Sequence, residues 1–95
     1  MSNFLATVNI FAESTEIDHV VTALSKLKNI EEVYEVAGEY DIVTLVCTPT
    51  IEDFRDVLQK HIMKIKGVKS TIVTVLLAPI KGPRCQRKAI NTSTT

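Results

Sequence analysis

The stretch Ile30-Glu31-Glu32-Val33-Tyr34-Glu35-Val36-Ala37-Gly38-Glu39-Tyr40-Asp41-Ile42-Val43-Thr44-Leu45-Val46-Cys47 reads as two strands joined by a turn. Ile30, Glu32, Tyr34 and Val36 alternate with Glu31, Val33, Glu35 and Ala37, which predicts a strand over Ile30 to Ala37. Gly38-Glu39-Tyr40-Asp41 supplies a glycine and an aspartate, both suited to a bend. Asp41 to Cys47 then carries β-branched residues on both faces, the mark of a strand covered on both sides.

Towards the N-terminus, Phe4 to Ala12 alternates as a first strand, with Phe4, Ala6, Val8, Ile10 and Ala12 on one face. A helix follows, with Ser14 or Thr15 as its N-cap and Glu16 and Asp18 in the first turn, where negative charge suits the dipole. Ile17, Val20, Val21, Leu24 and Leu27 form its apolar stripe, and Asn29 closes it.

Towards the C-terminus, Thr50 is placed to cap a second helix, with Asp53 at the third helical position as a short capping box. Its stripe is Ile51, Phe54, Val57, Leu58, Ile62 and Ile65. His61 stands at the edge of that stripe as a partly covered surface histidine, and Gly67 is placed as the C-terminal cap. Val68 to about Ile80 reads as a long last strand that Pro79 ends. From Lys81 the composition changes, so residues 1–80 form the domain and 81–95 a flexible polar and basic tail.

This order predicts an α+β, ferredoxin-like βαββαβ domain. Right-handed crossovers put both helices on one face of a four-stranded antiparallel sheet. The other face carries Leu5, Phe11 and either Val43 with Leu45 or Ile42 with Val46. Apolar surface of that kind marks an interface, which predicts a symmetric homodimer, a dimeric α/β sandwich or barrel, with larger rings within reach.

Ninety-five residues make one domain, and 11 basic residues against 11 acidic give no overall field to draw in nucleic acid. No apolar run approaches the roughly 20 residues of a membrane span, and no basic stretch leads into one at the N-terminus, so the expected location is the cytoplasm. Cys47 and Cys85 are expected to be two unpaired thiols there. With no CxxC and no histidine cluster, neither a metal site nor a cofactor is expected.

The segment Tyr34 to Asp41 resembles the Y-x-V-T-G-x-Y-D pattern of the effector-binding and oligomerisation domain of Lrp/AsnC transcription regulators, the RAM (regulation of amino-acid metabolism) domain. Ile65-Lys66-Gly67-Val68-Lys69-Ser70-Thr71 is similar to that family's entry to its last strand. The resemblance covers about Phe4 to Ile80. Full-length members carry an N-terminal helix-turn-helix domain, and a first strand beginning by Phe4 leaves no room for one, so the expectation is a stand-alone effector domain without direct specific DNA binding. The resemblance implies an amino acid or related small metabolite held between subunits near the turn. It implies ligand-binding roles for Tyr34, Gly38, Tyr40, Asp41 and Thr71. Asp41 would pair with an ammonium group. Gly-turn N–H groups would hold a carboxylate, and Gly38 would allow close approach. It further implies a homodimer within a higher ring-like homo-oligomer, and full-length Lrp/AsnC regulators as partners. Ala37 and Val73 stand where the family often has threonine. Both remove a hydroxyl, which predicts altered or weakened amino-acid selectivity.

No catalytic residue is expected. The rival reading is a small dimeric α+β barrel enzyme of monooxygenase or isomerase type, which needs an acid–base group inside a pocket, and no His, Asp or Glu falls on a predicted core face with a partner. An RRM-type RNA binder has this strand order but needs aromatics on the third strand, which Ile42 to Cys47 lacks. Lys81, Arg84, Arg87 and Lys88 form a basic cluster read as a solvated end.

Overall fold

The computed structural model describes residues 3–77. Its elements run β1 (Phe4–Ala12), a 3₁₀ turn (Ser14–Glu16), α1 (Ile17–Ser25), β2 (Ile30–Glu35), β3 (Ile42–Thr48), α2 (Ile51–Asp56) continuing as a π-helical segment (Val57–Ile62), and β4 (Val68–Val75). The strands form one antiparallel sheet in the order β2-β3-β1-β4. The fold is the ferredoxin-like one that the element order predicts. The last strand, expected to run to about Ile80, ends at Val75, before the described residues do; the expected tail at 81–95 lies outside them.

The registers assign every side chain to a face. Ala6 pairs with Val46, Val8 with Thr44 and Ile10 with Ile42, and all six are fully buried against the helices. Val20 and Leu24 of α1, with Phe54, Val57 and Ile62 from the second helix, complete that core. Phe4 stacks on Phe54 with ring centroids 5.0 Å apart. Thr44 and Thr48 are the buried polar residues among those described, and each hydroxyl donates to a carbonyl, Thr44 Oγ1 to Val8 at 3.2 Å and Thr48 Oγ1 to Thr50 at 2.8 Å, as burial of a hydroxyl requires. Of the two sets left open for the other face, the one there is Val43 with Leu45.

Four local expectations need correction. Neither Ser14 nor Thr15 caps α1; the chain first makes a 3₁₀ turn and enters α1 at Glu16 with no side-chain cap bond. Asn29 lies beyond the end of α1 and instead binds Cys47, its carbonyl accepting from the Cys47 N–H at 3.0 Å. The second helix is not one regular helix to Lys66, because Met63 N–H reaches back to the Leu58 carbonyl. That wider turn keeps Phe54, Leu58 and Ile62, four residues apart, over the sheet despite the 3.6-residue α period. Gly67 therefore follows a turn rather than capping the helix. The Thr50 cap is as expected, its Oγ1 accepting from Asp53 N–H at 3.1 Å.

The fourth concerns β2. A register irregularity between Ile30 and Glu32 sets Ile30 opposite Val46 and Val33 opposite Thr44. Ile30 and Val33 thus share the helix-covered side, while Glu32 and Tyr34 turn to the other, and strict alternation fails at Glu31.

Among the described residues no helix is long and apolar enough to cross a membrane. Cys47 is disulfide-bonded, against the expectation of a free thiol. The register pairs Cys47 with Leu5 on the helix-free face, away from the sealed core. Cys85 lies outside the described residues.

Candidate functional site

The loop between β2 and β3 folds against the end of β1. Val36 N–H donates to the Asp41 carbonyl at 3.1 Å and closes the loop, and Asp41 N–H donates to the Ile10 carbonyl at 3.0 Å. The Asp41 carboxylate accepts from Ala12 N–H at 2.9 Å through Oδ2. Ala12 sits where the β1–β4 register shifts, so its N–H needs a partner from outside the ladder. Tyr40 rests on Phe11 with ring centroids 5.1 Å apart.

Gly38 stands differently. Its φ is not in the left-handed region, and a Cβ there would meet nothing within 4 Å. This chain's own turn does not demand a glycine at that position.

The five expected site residues do not line one cavity within this chain. Gly38, Tyr40 and Asp41 share the loop. Thr71 pairs with Ile10 across β4, so it faces the helix-covered side. It lies on the far side of β1 from Asp41, about 10 Å away by two strand spacings. Tyr34 pairs with Val43 on the helix-free face, is 52% exposed and donates its hydroxyl to Glu32 Oε1 at 2.7 Å.

A cavity of about 220 Å³ lies on the helix-free face, lined by Thr7, Glu32, Tyr34, Val43, Thr44, Leu45 and Leu76. Tyr34 alone of the expected residues reaches it. Glu32, paired with the Tyr34 hydroxyl, is the group that sequence reasoning misses: alternation sets it on the face of Tyr34, but nothing in the sequence marks a cavity there. A second cleft of about 260 Å³ lies between the end of α1 and the π-helical segment, lined by Lys26, Leu27, Lys28, Asn29, Val57 and His61. His61 is exposed rather than half-covered. Among the described residues no group of three His, Cys, Asp or Glu is placed to hold a metal ion.

Comparison with known proteins gives the family. Residues 5–84 match the model of the Lrp/AsnC ligand binding domain. An uncharacterized HTH-type transcriptional regulator of Pyrococcus horikoshii is 32% identical over 76 residues, covering 80% of this chain and 51% of the relative. The chain spans about half the length of the curated regulators it matches. Homocitrate synthase of Sulfurisphaera tokodaii is 30% identical over 76 residues, 79% of this chain but only 16% of that enzyme. Among solved structures, a Thermus thermophilus protein superposes with a TM-score of 0.79 at 28% identity, covering 83% of this chain and 99% of that one. The feast or famine regulatory protein of M. tuberculosis complexed with L-methionine has a TM-score of 0.72 at 28% identity, covering 85% of this chain and 54% of that one. The family match spans most of the sequence, the turn that prompted it lies inside that span, and this chain belongs to the Lrp/AsnC ligand-binding-domain family.

Proposed function

We propose that this domain is a non-enzymatic, cytoplasmic module that binds an amino acid or related small metabolite where copies of the chain meet, and that it modulates transcription through full-length Lrp/AsnC regulators. The observation that carries this reading is the loop at the end of β1. It holds a carboxylate, Asp41, in place through one oxygen. It also holds a glycine, Gly38, at which a Cβ would meet nothing within 4 Å. Both suit a small zwitterion: Asp41 for the ammonium group, and the loop N–H groups for the carboxylate. The methionine held by the M. tuberculosis relative supports this ligand class.

Assembly completes the reading. Within one chain Tyr34 and Thr71 lie on opposite faces of the sheet, so a site that uses both with the Gly38–Asp41 loop would draw on more than one copy. The helix-free face presents Ile72 at 46% and Leu76 at 39% exposure, with Tyr34 at 52% on its opposite edge strand. Burial of apolar area drives association, at roughly 25 cal/mol per Å². We expect a homodimer through this face and a ring of dimers joined near the loop. A ligand at such a junction shifts assembly by its differential affinity for the two states.

Calorimetric titration against the common amino acids, methionine included, with sedimentation velocity alongside, tests this. Saturable binding that shifts the sedimentation coefficient is expected. No heat at millimolar ligand, or a persistent monomer at micromolar protein, would sink it.

The enzyme reading rests on one observation: Glu32 and the Tyr34 hydroxyl meet in the cavity of the helix-free face. Quinol-oxidation or isomerase activity lost in Glu32→Gln would establish it. Loss of assembly without any turnover in the parent chain argues for the binding module instead.

A further inference from the structure

The cleft between the end of α1 and the π-helical segment plays no part in the function proposed above. Its walls are fixed by backbone bonds. On one side Leu27 N–H donates to the Leu24 carbonyl at 3.0 Å and Ile30 N–H to the Leu27 carbonyl at 3.2 Å, which turns the chain tightly from α1 into β2. Asn29 ties that turn to β3. Its carbonyl accepts from Cys47 N–H at 3.0 Å, and its Nδ2 donates to the Cys47 carbonyl at 3.4 Å. On the other side Met63 N–H reaches the Leu58 carbonyl at 2.8 Å, the wide turn of the π segment. Val57 and His61 of that segment line the cleft.

Apolar surface and charge are divided within it. Val57 is buried and Leu27 half-buried, while Lys26, Lys28 and His61 are exposed. No carboxylate is among the described residues that line it. The ion pair between described residues joins Lys60 to Asp56, neither of which lines the cleft. Two ammonium-bearing side chains therefore border one cleft with no anionic partner there, in a chain whose 11 basic and 11 acidic residues balance overall. The C-terminus of α1 answers only part of that charge. A helix end presents about half a negative charge, less than one lysine carries.

We propose that this cleft binds a small organic anion, a carboxylate or phosphate ester whose short apolar body lies against Leu27 and Val57 while its charged group meets Lys26 and Lys28. His61 has a ring N–H to offer that group in its neutral and its protonated form alike. The volume, about 260 Å³, falls just below the roughly 300 Å³ at which pockets for drug-sized ligands begin, which sets the ligand at metabolite size. A zwitterionic amino acid is disfavoured, because its ammonium group would sit among like charges. Place separates this site from the proposed amino-acid site as well. Asn29 bonds to the Cys47 end of β3 and Asp41 precedes the other end, about 20 Å away along the strand.

Calorimetric titration of the full chain with hexanoate and with hexyl phosphate puts this to the test, with amide NMR shifts locating the ligand. Saturable binding of either anion is expected, with the largest shifts at residues 26–29 and 57–61. Lys26→Gln combined with Lys28→Gln, both at exposed positions, should leave the unfolding midpoint in place and weaken binding about fivefold, the effect of losing two exposed ion pairs. Added salt should weaken binding to the parent chain in the same direction. Hexylammonium or hexanol bound as tightly as hexanoate overturns the proposal, since charge would then select nothing. Inorganic phosphate bound as tightly as hexyl phosphate overturns it too, since the apolar wall would then contribute nothing. So do an absence of saturable binding at millimolar ligand, an unchanged affinity in the double variant, and shifts that centre on the Asp41 loop or the helix-free face.

Discussion

At the end of β1 the Gly38–Asp41 loop sits on one side and the turn through Gly67 on the other. Both carry a glycine and both bond to the strand end. Gly67 accepts from Glu13 N–H at 2.8 Å through its carbonyl, and Asp41 accepts from Ala12 N–H. Gly67 has φ 104°, and a Cβ on it would collide with Glu16 Cβ and press on Val20 Cγ2 at 3.1 Å. Gly38 meets neither condition. One glycine is demanded by this chain's own packing, where β4 passes the start of α1. The other is not required by its own surroundings. A glycine in a turn is therefore evidence for a ligand only where its own neighbours leave it unexplained, and that condition separates the two loops.

The sharpest way to break this contrast is Gly67→Ala. The left-handed φ and the collision with a backbone-anchored Cβ each cost on the order of 1–3 kcal/mol. Unfolding in urea is expected to show a loss of roughly 3 kcal/mol. A loss below about 1 kcal/mol would mean that α1 yields easily, and the distinction between the loops would weaken.

Asp41→Ala comes next. It leaves the N–H of Ala12, a residue 6% exposed, without its acceptor, which costs about 1–3 kcal/mol. Asp41→Asn keeps an acceptor oxygen and is expected to retain most of that stability while losing affinity for the ammonium group of an amino acid. If Asn binds amino acids as the parent does, Asp41 is a structural residue only. Tyr40→Leu is smaller. It removes an aromatic pair worth about 0.5–1.5 kcal/mol beyond area. A double-mutant cycle with Phe11→Leu should return a coupling in that range, and zero coupling would detach the loop from β1.

Legibility in the sequence tracks the reach of each signal. Strand β1 reads at its observed bounds because nine residues alternate without interruption. The helices read in type but not in detail, since a 3₁₀ entry and a π segment keep the same apolar residues and change only the spacing between turns. The irregularity in β2 moves Ile30 off the face that alternation gives it, while Glu32 stays with Tyr34 as alternation sets it and escapes notice because the cavity there is a tertiary fact. Asp41 is legible as chemistry, while its bond to Ala12 depends on a register shift between β1 and β4, far from it in the chain. For Cys47 the sequence offers only a compartment argument, and the register that leaves it on the helix-free face is a tertiary fact.

Gly38→Ala has the smallest effect on the fold and bears most directly on the comparison. Its φ lies outside the left-handed region and its surroundings are clear, so alanine adds no clash and narrows the unfolded ensemble. Stability is expected to rise by about 0.4–1 kcal/mol. Amino-acid binding and assembly should fall together, because the new methyl group occupies the space through which a ligand or a second copy would approach. A variant that is more stable and binds less separates the role of this glycine from folding. One that is more stable and binds unchanged would return Gly38 to an ordinary bend and leave Asp41 and Tyr40 to carry the site without it.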